Sequence, residues 1–434
     1  MGVGSVKSCA DGLHSRRWRP IVPAMASILF VHNNFPAQFG FVAEAAMARG
    51  HACAAIASPT GRPMTGMPME KWEAGRSSSP MILKAAIRAE ADLIRAEAAA
   101  AAALRLNQQG FYPDLIVGHP GWGETLYLRE IFPKAKQIIY AEYYYRTADG
   151  DVGFDPEFGP ASAPMELHAK NIGLALALSE ADTIVAPTSF QASRLPGVFR
   201  QRTEIVHEGV DLLRTRKNAA ARWVTADGRV LDGARPIITF VSRKLEPLRG
   251  YHSFMRSLPR LLEAVPDAEV LIVGEAARAG YGAAAPEGRT WAEVILDEVR
   301  DKLDVSRIHF TGRVPYETFI DALSLSWAHV YFTYPFVMSW SLLEAMACEC
   351  LIVGSDTAPV RDAITAGENG LLVDFFDHAG LAQTLIEACR SPRRFDHLRR
   401  AARQTVEARY DRIRVCLPAW MRLIERELAA QAAE

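Results

Sequence analysis

The chain has 434 residues, 49% of them hydrophobic and 23% charged, and a formal net charge of −1. Its length exceeds one comfortable core and predicts two domains of roughly 200 residues each. The balance is that of an ordinary globular protein, and a near-neutral chain lacks the basic excess that bulk nucleic-acid binding requires, so no nucleic-acid partner is expected.

Residues 1–25 carry neither periodicity nor a long apolar run, and read as a disordered tail rather than a signal peptide. Met25, just before the first strand, is a candidate second start. From there strands and helices alternate. SILFVH is a buried strand, FGFVAEAAMARGH an amphipathic helix closed by Gly50, and HACAAIAS the next strand. A long helix over about 81–109 precedes the strands DLIVGH and QIIYAEYYY; a helix over MELHAKNIGLALALSEA precedes TIVAPT and TEIVHEGV. Repeated β-α-β of this kind predicts a parallel sheet covered on both faces, here over residues 26–211. Residues 212–235 are polar and irregular, and read as a linker. A second β-α series runs over 236–410, from IITFVSR to GLLVDF and the helices after it, and 411–434 forms a C-terminal helix. The expected fold class is therefore α/β, two Rossmann-like doubly wound domains facing each other across a cleft, where open parallel sheets bind ligands.

No stretch reaches the roughly 18 apolar residues a membrane span needs. The six cysteines form no CxxC pair; apart from Cys9 in the tail they read as buried, reduced thiols of a cytoplasmic protein. The run RSPRRFDHLRRAARQ (390–404) is either a solvated helix face or a contact for acidic lipid headgroups or a pyrophosphate-linked acceptor.

Two places offer anion chemistry. SRKLEPLRG follows the first strand of the second domain and presents Arg243 and Arg249, whose guanidiniums can each donate two parallel bonds to phosphate, unless they are merely solvated. SWSLLEAMA starts a short helix at Ser339, Trp340 and Ser341, where unpaired N–H groups attract anions. Glu344, about one turn in, can receive ribose hydroxyls or simply complement the helix dipole.

The set SRKLEPLRG, FTGRVP, SLLEAMACECLIVGSD with APVRDAI, and GENGLLVDF resembles the retaining family 4 glycosyltransferases of the GT-B fold, weakly supported in the first half by ILFVHNNFPAQFGFVAEAAMARGH. The resemblance, over about residues 27–420, implies a metal-independent hexosyltransferase of bacterial glycan biosynthesis. It would need no cofactor, with a nucleotide-diphosphate-sugar as co-substrate and a sugar or lipid-linked acceptor, and would sit in the cytoplasm or at the inner membrane face. Carried over position by position, Arg243 and Arg249 clamp the diphosphate and Glu344 binds the ribose. Backbone near Arg313 and Val314 holds the base, and amides at Ser339, Trp340 and Ser341 meet phosphate and sugar. His119 matches the family's active-site histidine and is expected to be exposed at its strand end; a capping histidine is the alternative. The C-terminal helix, around Leu417 to Leu428, crosses back to the first domain in that family. The first glutamate of the family's paired-glutamate motif falls on Phe336, which cannot bond a sugar hydroxyl. A divergent sugar site follows from that change.

Asn33, Asn34 and Gln38, in the loop after the first strand, face the expected cleft. EYYYRTADGDVGFDPEFGP is long for a loop inside a compact domain, and its Tyr143, Tyr144 and Asp151 are acceptor-side candidates unless they pack against the other domain. No carboxylate pair is set for a metal. A silent nucleotide-sugar-binding subunit, or an epimerase of the same fold, is the alternative to a transferase.

Overall fold

The computed structural model describes residues 25–159 and 163–433; the tail expected over 1–25 lies outside them except for Met25. The first sheet contains β1 (Ser27–Val31), β2 (Ala52–Ala57), β3 (Met69–Lys71), β4 (Leu115–Gly118), β5 (Lys136–Tyr140), β6 (Thr183–Ala186) and β7 (Thr203–Ile205). All are parallel, in the order β3-β2-β1-β4-β5-β6-β7. Past the half-buried Ser27, the central strands SILFV and LIVG are apolar because helices cover both faces, leaving no solvent side for a polar alternation. A two-stranded ribbon, β8 (Trp223–Val224) with β9 (Val230–Leu231), occupies the segment read as linker.

The second sheet holds β10 (Ile237–Lys244), β11 (Glu269–Glu275), β12 (Ile308–Gly312), β13 (Ala328–Tyr331), β14 (Ile352–Ser355) and β15 (Leu371–Val373), in the order β12-β11-β10-β13-β14-β15. It too is parallel throughout. Each sheet reverses its order beside its first strand, between β1 and β4 and between β10 and β13. Loops leaving those strands at their carboxyl ends diverge there and open a crevice.

Two segments tie the domains together, and they run in opposite directions. The helix Leu417–Ala433 returns to the first sheet, where Trp420, Met421 and Ile424 join Phe30, Phe39 and Tyr140 in one buried cluster. Its Glu427 accepts the Thr183 hydroxyl at 2.7 Å, and Arg426 pairs with Glu204 at 2.9 Å. In the other direction, the loop after β5 lies across the second domain as a strap. Its Phe154 packs on Tyr334, Phe375 and Phe376, and Phe158 on His252 and Trp291. Between them the buried Asp155 lies 3.1 Å from His252 Nε2 and accepts the Tyr334 hydroxyl at 3.0 Å. Aromatic burial with one fully desolvated polar triad is the chemistry of an interior, so this strap is part of the second domain's packing.

Among the basic cluster at 390–404, Arg390 donates to Ala264, Arg399 to Trp327, and Arg403 to Thr215 and Ala347. These three fasten their helices to the second domain. Arg393, Arg394 and Arg400 stay exposed. No helix among the described residues is long and apolar enough to cross a membrane. The five described cysteines are free and buried.

Candidate active site

A cavity of about 610 Å³ lies between the facing carboxyl edges of the two sheets. The first-domain wall is assembled from the ends of five strands: Asn33, Asn34 and Gln38 after β1, Trp122 after β4, Glu142 after β5, Gln191 after β6 and Glu208 after β7. The opposite wall comes from the ends of β10 and β11 and the segment before the helix Trp340–Ala347.

Arg243 and Lys244 close β10, where the pairing with β11 slips between Val241 and Lys244. An irregular strand end re-aims its side chains, and both cations line the cavity. Arg243 is exposed, while Lys244 Nζ donates to Ala279 O at 3.0 Å. Arg249 is held differently. It ends a 3-10 turn whose next residue, Gly250, has φ 69°, and a Cβ at Gly250 would stand 2.2 Å from that of Phe332. The Arg249 Nη1 donates to Val337 O at 2.8 Å and Thr333 Oγ1 at 3.2 Å. Its guanidinium lies 5.7 Å from the Tyr281 ring and 5.6 Å from Phe336. The buried Glu246 accepts the Tyr281 and Gly282 N–H groups and so pins the loop that carries Tyr281.

Ser339 caps the helix Trp340–Ala347, its Oγ accepting the Ser341 N–H at 3.4 Å, while its own N–H donates to the Tyr331 hydroxyl at 2.7 Å. Ser339 and Trp340 line the cavity, and Ser341 is buried behind them. Of the amides expected to meet phosphate, that of Ser339 is therefore taken by Tyr331 and that of Ser341 by the Ser339 hydroxyl.

Glu344 does not line this cavity. It lines an adjoining one of about 310 Å³ with Tyr316, Arg214 and Arg412; Trp340 lines both. Burial pushes the Glu344 carboxyl up, opposed by the Tyr316 hydroxyl bond and by Arg412. Trp340 thus separates the two chambers, and its indole N–H donates to Glu208 of the first domain at 2.5 Å. Glu208 also accepts the Tyr140 hydroxyl at 2.7 Å. Burial works against its charge, but the His207 contact and the Trp340 and Tyr140 donors outweigh it and hold its carboxyl below the usual range.

Several sequence candidates fall elsewhere. His119 is only 3% exposed, against the expected exposed position, and is not on the cavity lining. Its ring packs on Trp122 at 4.8 Å and His32 at 5.0 Å, because the strand end it occupies is roofed by the loop carrying Trp122. Its Nδ1 accepts the Gly121 N–H at 3.0 Å, and its Nε2 lies 3.4 Å from Glu142. Phe336, 6% exposed, does not line the cavity: its ring packs behind the lining residue Tyr281 at 5.3 Å and edge-on to Tyr143 at 4.8 Å across the domain seam. The Tyr143 hydroxyl lies 2.9 Å from Asp151 and 3.1 Å from the Pro335 carbonyl, so Tyr143 and Asp151 join the domains rather than line the cleft. Tyr144 packs beside Leu178 on the far side. Arg313 is exposed, Val314 packs against the second-domain core, and neither lines the cavities described. Sequence reasoning missed Glu142, Gln191, Glu208 and Lys244. Lys244 was legible as a third cation in SRKLEP; the other three stand singly at strand ends, with no local pattern around them.

Two facing parallel α/β sheets with a cleft at their carboxyl edges define the GT-B architecture, and solved structures bear this out. Sucrose-phosphate synthase from Thermosynechococcus elongatus matches with a TM-score of 0.70 at 18% identity, covering 93% of this chain and 99% of that one. HepE from Anabaena, solved in complex with UDP and glucose, matches with a TM-score of 0.62 at 14% identity, covering 92% of this chain and 99% of that one. The profile described as Glycosyl transferase family 4 group matches residues 49–214, and that of Glycosyl transferases group 1 matches residues 235–391. The chain belongs to the family 4 glycosyltransferases. A curated relative, D-inositol 3-phosphate glycosyltransferase of Rhodococcus jostii (strain RHA1), is 26% identical over 215 residues, 48% of this chain and 45% of the relative. The match thus spans about half the length of such relatives.

Proposed function

We propose that this chain transfers a sugar from a nucleotide-diphosphate-sugar to an acceptor hydroxyl, with retention at the anomeric carbon. The observation that carries the reading is the cleft's asymmetry: Arg243, Lys244 and Arg249 converge on one wall, and an uncharged-to-acidic wall of Asn33, Asn34, Gln38 and Glu142 faces them. In the transfer, the bond from the anomeric carbon to the diphosphate oxygen breaks and its electron pair leaves on the phosphate. The acceptor oxygen bonds to that carbon on the same face as its proton passes to the departing phosphate oxygen. The three cations stabilise the charge that grows on the leaving group; Arg249, already fixed by two hydrogen bonds and two rings, needs little reorganisation to do so. Glu344 takes the ribose hydroxyls in the adjoining chamber, reached past Trp340. Support for a nucleotide-sugar donor comes from HepE, a neighbour in fold solved in complex with UDP-glucose.

The acceptor is a sugar or a lipid-linked sugar. The lipid-linked case rests on Arg393, Arg394 and Arg400, whose exposed charges suit an anionic bilayer surface. Sedimentation with phosphatidylglycerol vesicles, lost when the three are changed to glutamate, tests that part.

A thermal-shift panel of UDP, GDP, ADP and dTDP with their sugar conjugates, followed by turnover of any hit, tests the whole. One stabilising nucleotide with slow donor hydrolysis is expected. Stabilisation with no turnover toward any acceptor would make the protein a silent binder, and no stabilisation by any nucleotide would sink the reading.

A further inference from the structure

Three carboxylates line the cleft: Glu142, Glu208 and Glu246. Two of them accept a bond on each oxygen. The oxygens of Glu208 accept from Trp340 and Tyr140, and those of Glu246 from the Tyr281 and Gly282 amides. Their side chains are also buried. Glu142 differs on both counts. Its side chain is 34% exposed. Its Oε1 accepts one bond, from Gln38 Nε2 at 3.2 Å, and its Oε2 stands 3.4 Å from His119 Nε2. Because His119 Nε2 makes no hydrogen bond, Oε2 accepts none from it, and Glu142 keeps an oxygen free to accept on the cavity wall.

It is also well held. The Glu142 N–H donates to Tyr140 O at 3.1 Å, and its carbonyl accepts from Gln191 at 2.5 Å. Because His119 Nδ1 accepts the Gly121 N–H, the ring proton of the neutral imidazole belongs on Nε2, the nitrogen facing Glu142. Gln38 thus holds the Glu142 carboxylate by one hydrogen bond, while His119 Nε2 lies 3.4 Å away without forming one. Among the described residues lining the cavity, the second-domain carboxylate is Glu246, buried and bonded at both oxygens.

We infer that Glu142, held by Gln38, accepts a hydroxyl of the sugar handled in the cleft, so that hydroxyl recognition sits on the first-domain wall. This rests on the transferase reading above. The hydroxyl belongs either to the donor sugar or to the attacking acceptor, and the two sources separate experimentally.

Glu142→Ala and the isosteric Glu142→Gln are compared with the parent protein by calorimetric titration with UDP, UDP-glucose, GDP and GDP-mannose, and by donor hydrolysis at saturating donor. If the hydroxyl is the donor's, Glu142→Ala binds the preferred conjugate about tenfold more weakly, the size expected for a hydrogen bond to a charged group, and binds bare nucleotide as before. If it is the attacking side's, conjugate affinity holds and turnover falls by a similar factor. Glu142→Gln, which keeps an acceptor oxygen, falls between the parent and Glu142→Ala. Unchanged affinity and turnover in Glu142→Ala, or equal weakening of nucleotide and conjugate, overturns the assignment. If the parent protein binds neither these four probes nor ADP, dTDP and their sugar conjugates, the transferase reading fails first and this role falls with it.

Discussion

The two walls of the cleft are built on different principles. The second-domain wall is local: SRKLEPLRG and the segment before Trp340 bring its cations and helix start from two short stretches of chain. Phosphate is recognised by charge and by backbone geometry, and both demand particular residues at fixed spacing. The first-domain wall is dispersed, with single residues contributed by five strand ends. Hydroxyl recognition asks only for one donor or acceptor at the right point in space, whatever strand supplies it. One wall is therefore written as motifs and the other as a topology.

The sharpest way to break that comparison is at Arg249. Arg249→Ala is expected to lower turnover by roughly 10²–10³, with smaller change in donor affinity, as for loss of a preorganised donor. Arg249→Lys should restore little, because an ammonium cannot reproduce a planar group bonded at its edge and flanked by two rings. Steady-state kinetics on both variants decide it; unchanged turnover in Arg249→Ala would remove the anion-binding role from this wall.

Acid probes the domains' interiors instead. Burial, with help from His119, lowers the pKa of His32 to about 2, and burial lowers that of His329 to about 3. Both rings are neutral when folded and must gain a proton on unfolding below about pH 6.5. Their stabilisation is fully present above that pH and is lost as pH falls toward the folded values, at about 1.4 kcal/mol per pH unit for each ring. Urea midpoints at several pH values between 7.5 and 4.5 should show this slope, and His329→Asn should reduce it; a flat profile would contradict the buried neutral rings.

Smaller effects sharpen the contrast. Glu208→Gln weakens the Trp340 bond that joins the walls, along with the Tyr140 bond within the first domain, and should cost about 1 kcal/mol of stability by thermal denaturation. Gln38→Ala, a single neutral donor on the dispersed wall, should change turnover by no more than about fivefold, roughly 1 kcal/mol. A Gln38→Ala loss as large as that of Arg249→Ala would mean the walls are not different in kind.

The same distinction explains what the sequence made legible. Both parallel sheets could be read from apolar strands such as SILFV and LIVG, because burial on two faces leaves a continuous hydrophobic run. β3, three half-exposed residues, carried no such signal. Arg243, Arg249, Ser339 and Trp340 were found because their motifs are contiguous, and the structure brings them to one cavity. Glu142 lay inside EYYYRTADGDVG, but its neighbours Tyr143, Tyr144 and Asp151 drew the inference instead; an aromatic ring suits a sugar face and a domain seam equally well. Phe336 was read as a gap in a sugar site. In the fold it packs against Tyr143 across the seam, a contact no local pattern could reveal.

The strap and the returning helix together have a consequence for how the chain can be divided. Each half keeps a piece of the other: Phe154 and Phe158 are lodged in the second half, Trp420 and Ile424 in the first. A fragment ending at residue 211 would bare the apolar surface around Phe30 and Phe39, and one starting at residue 236 would leave the Tyr334 and Trp291 seats empty. The molecule is two lobes by shape and one unit by exchange, so that neither lobe's interior is complete until the whole chain has been made.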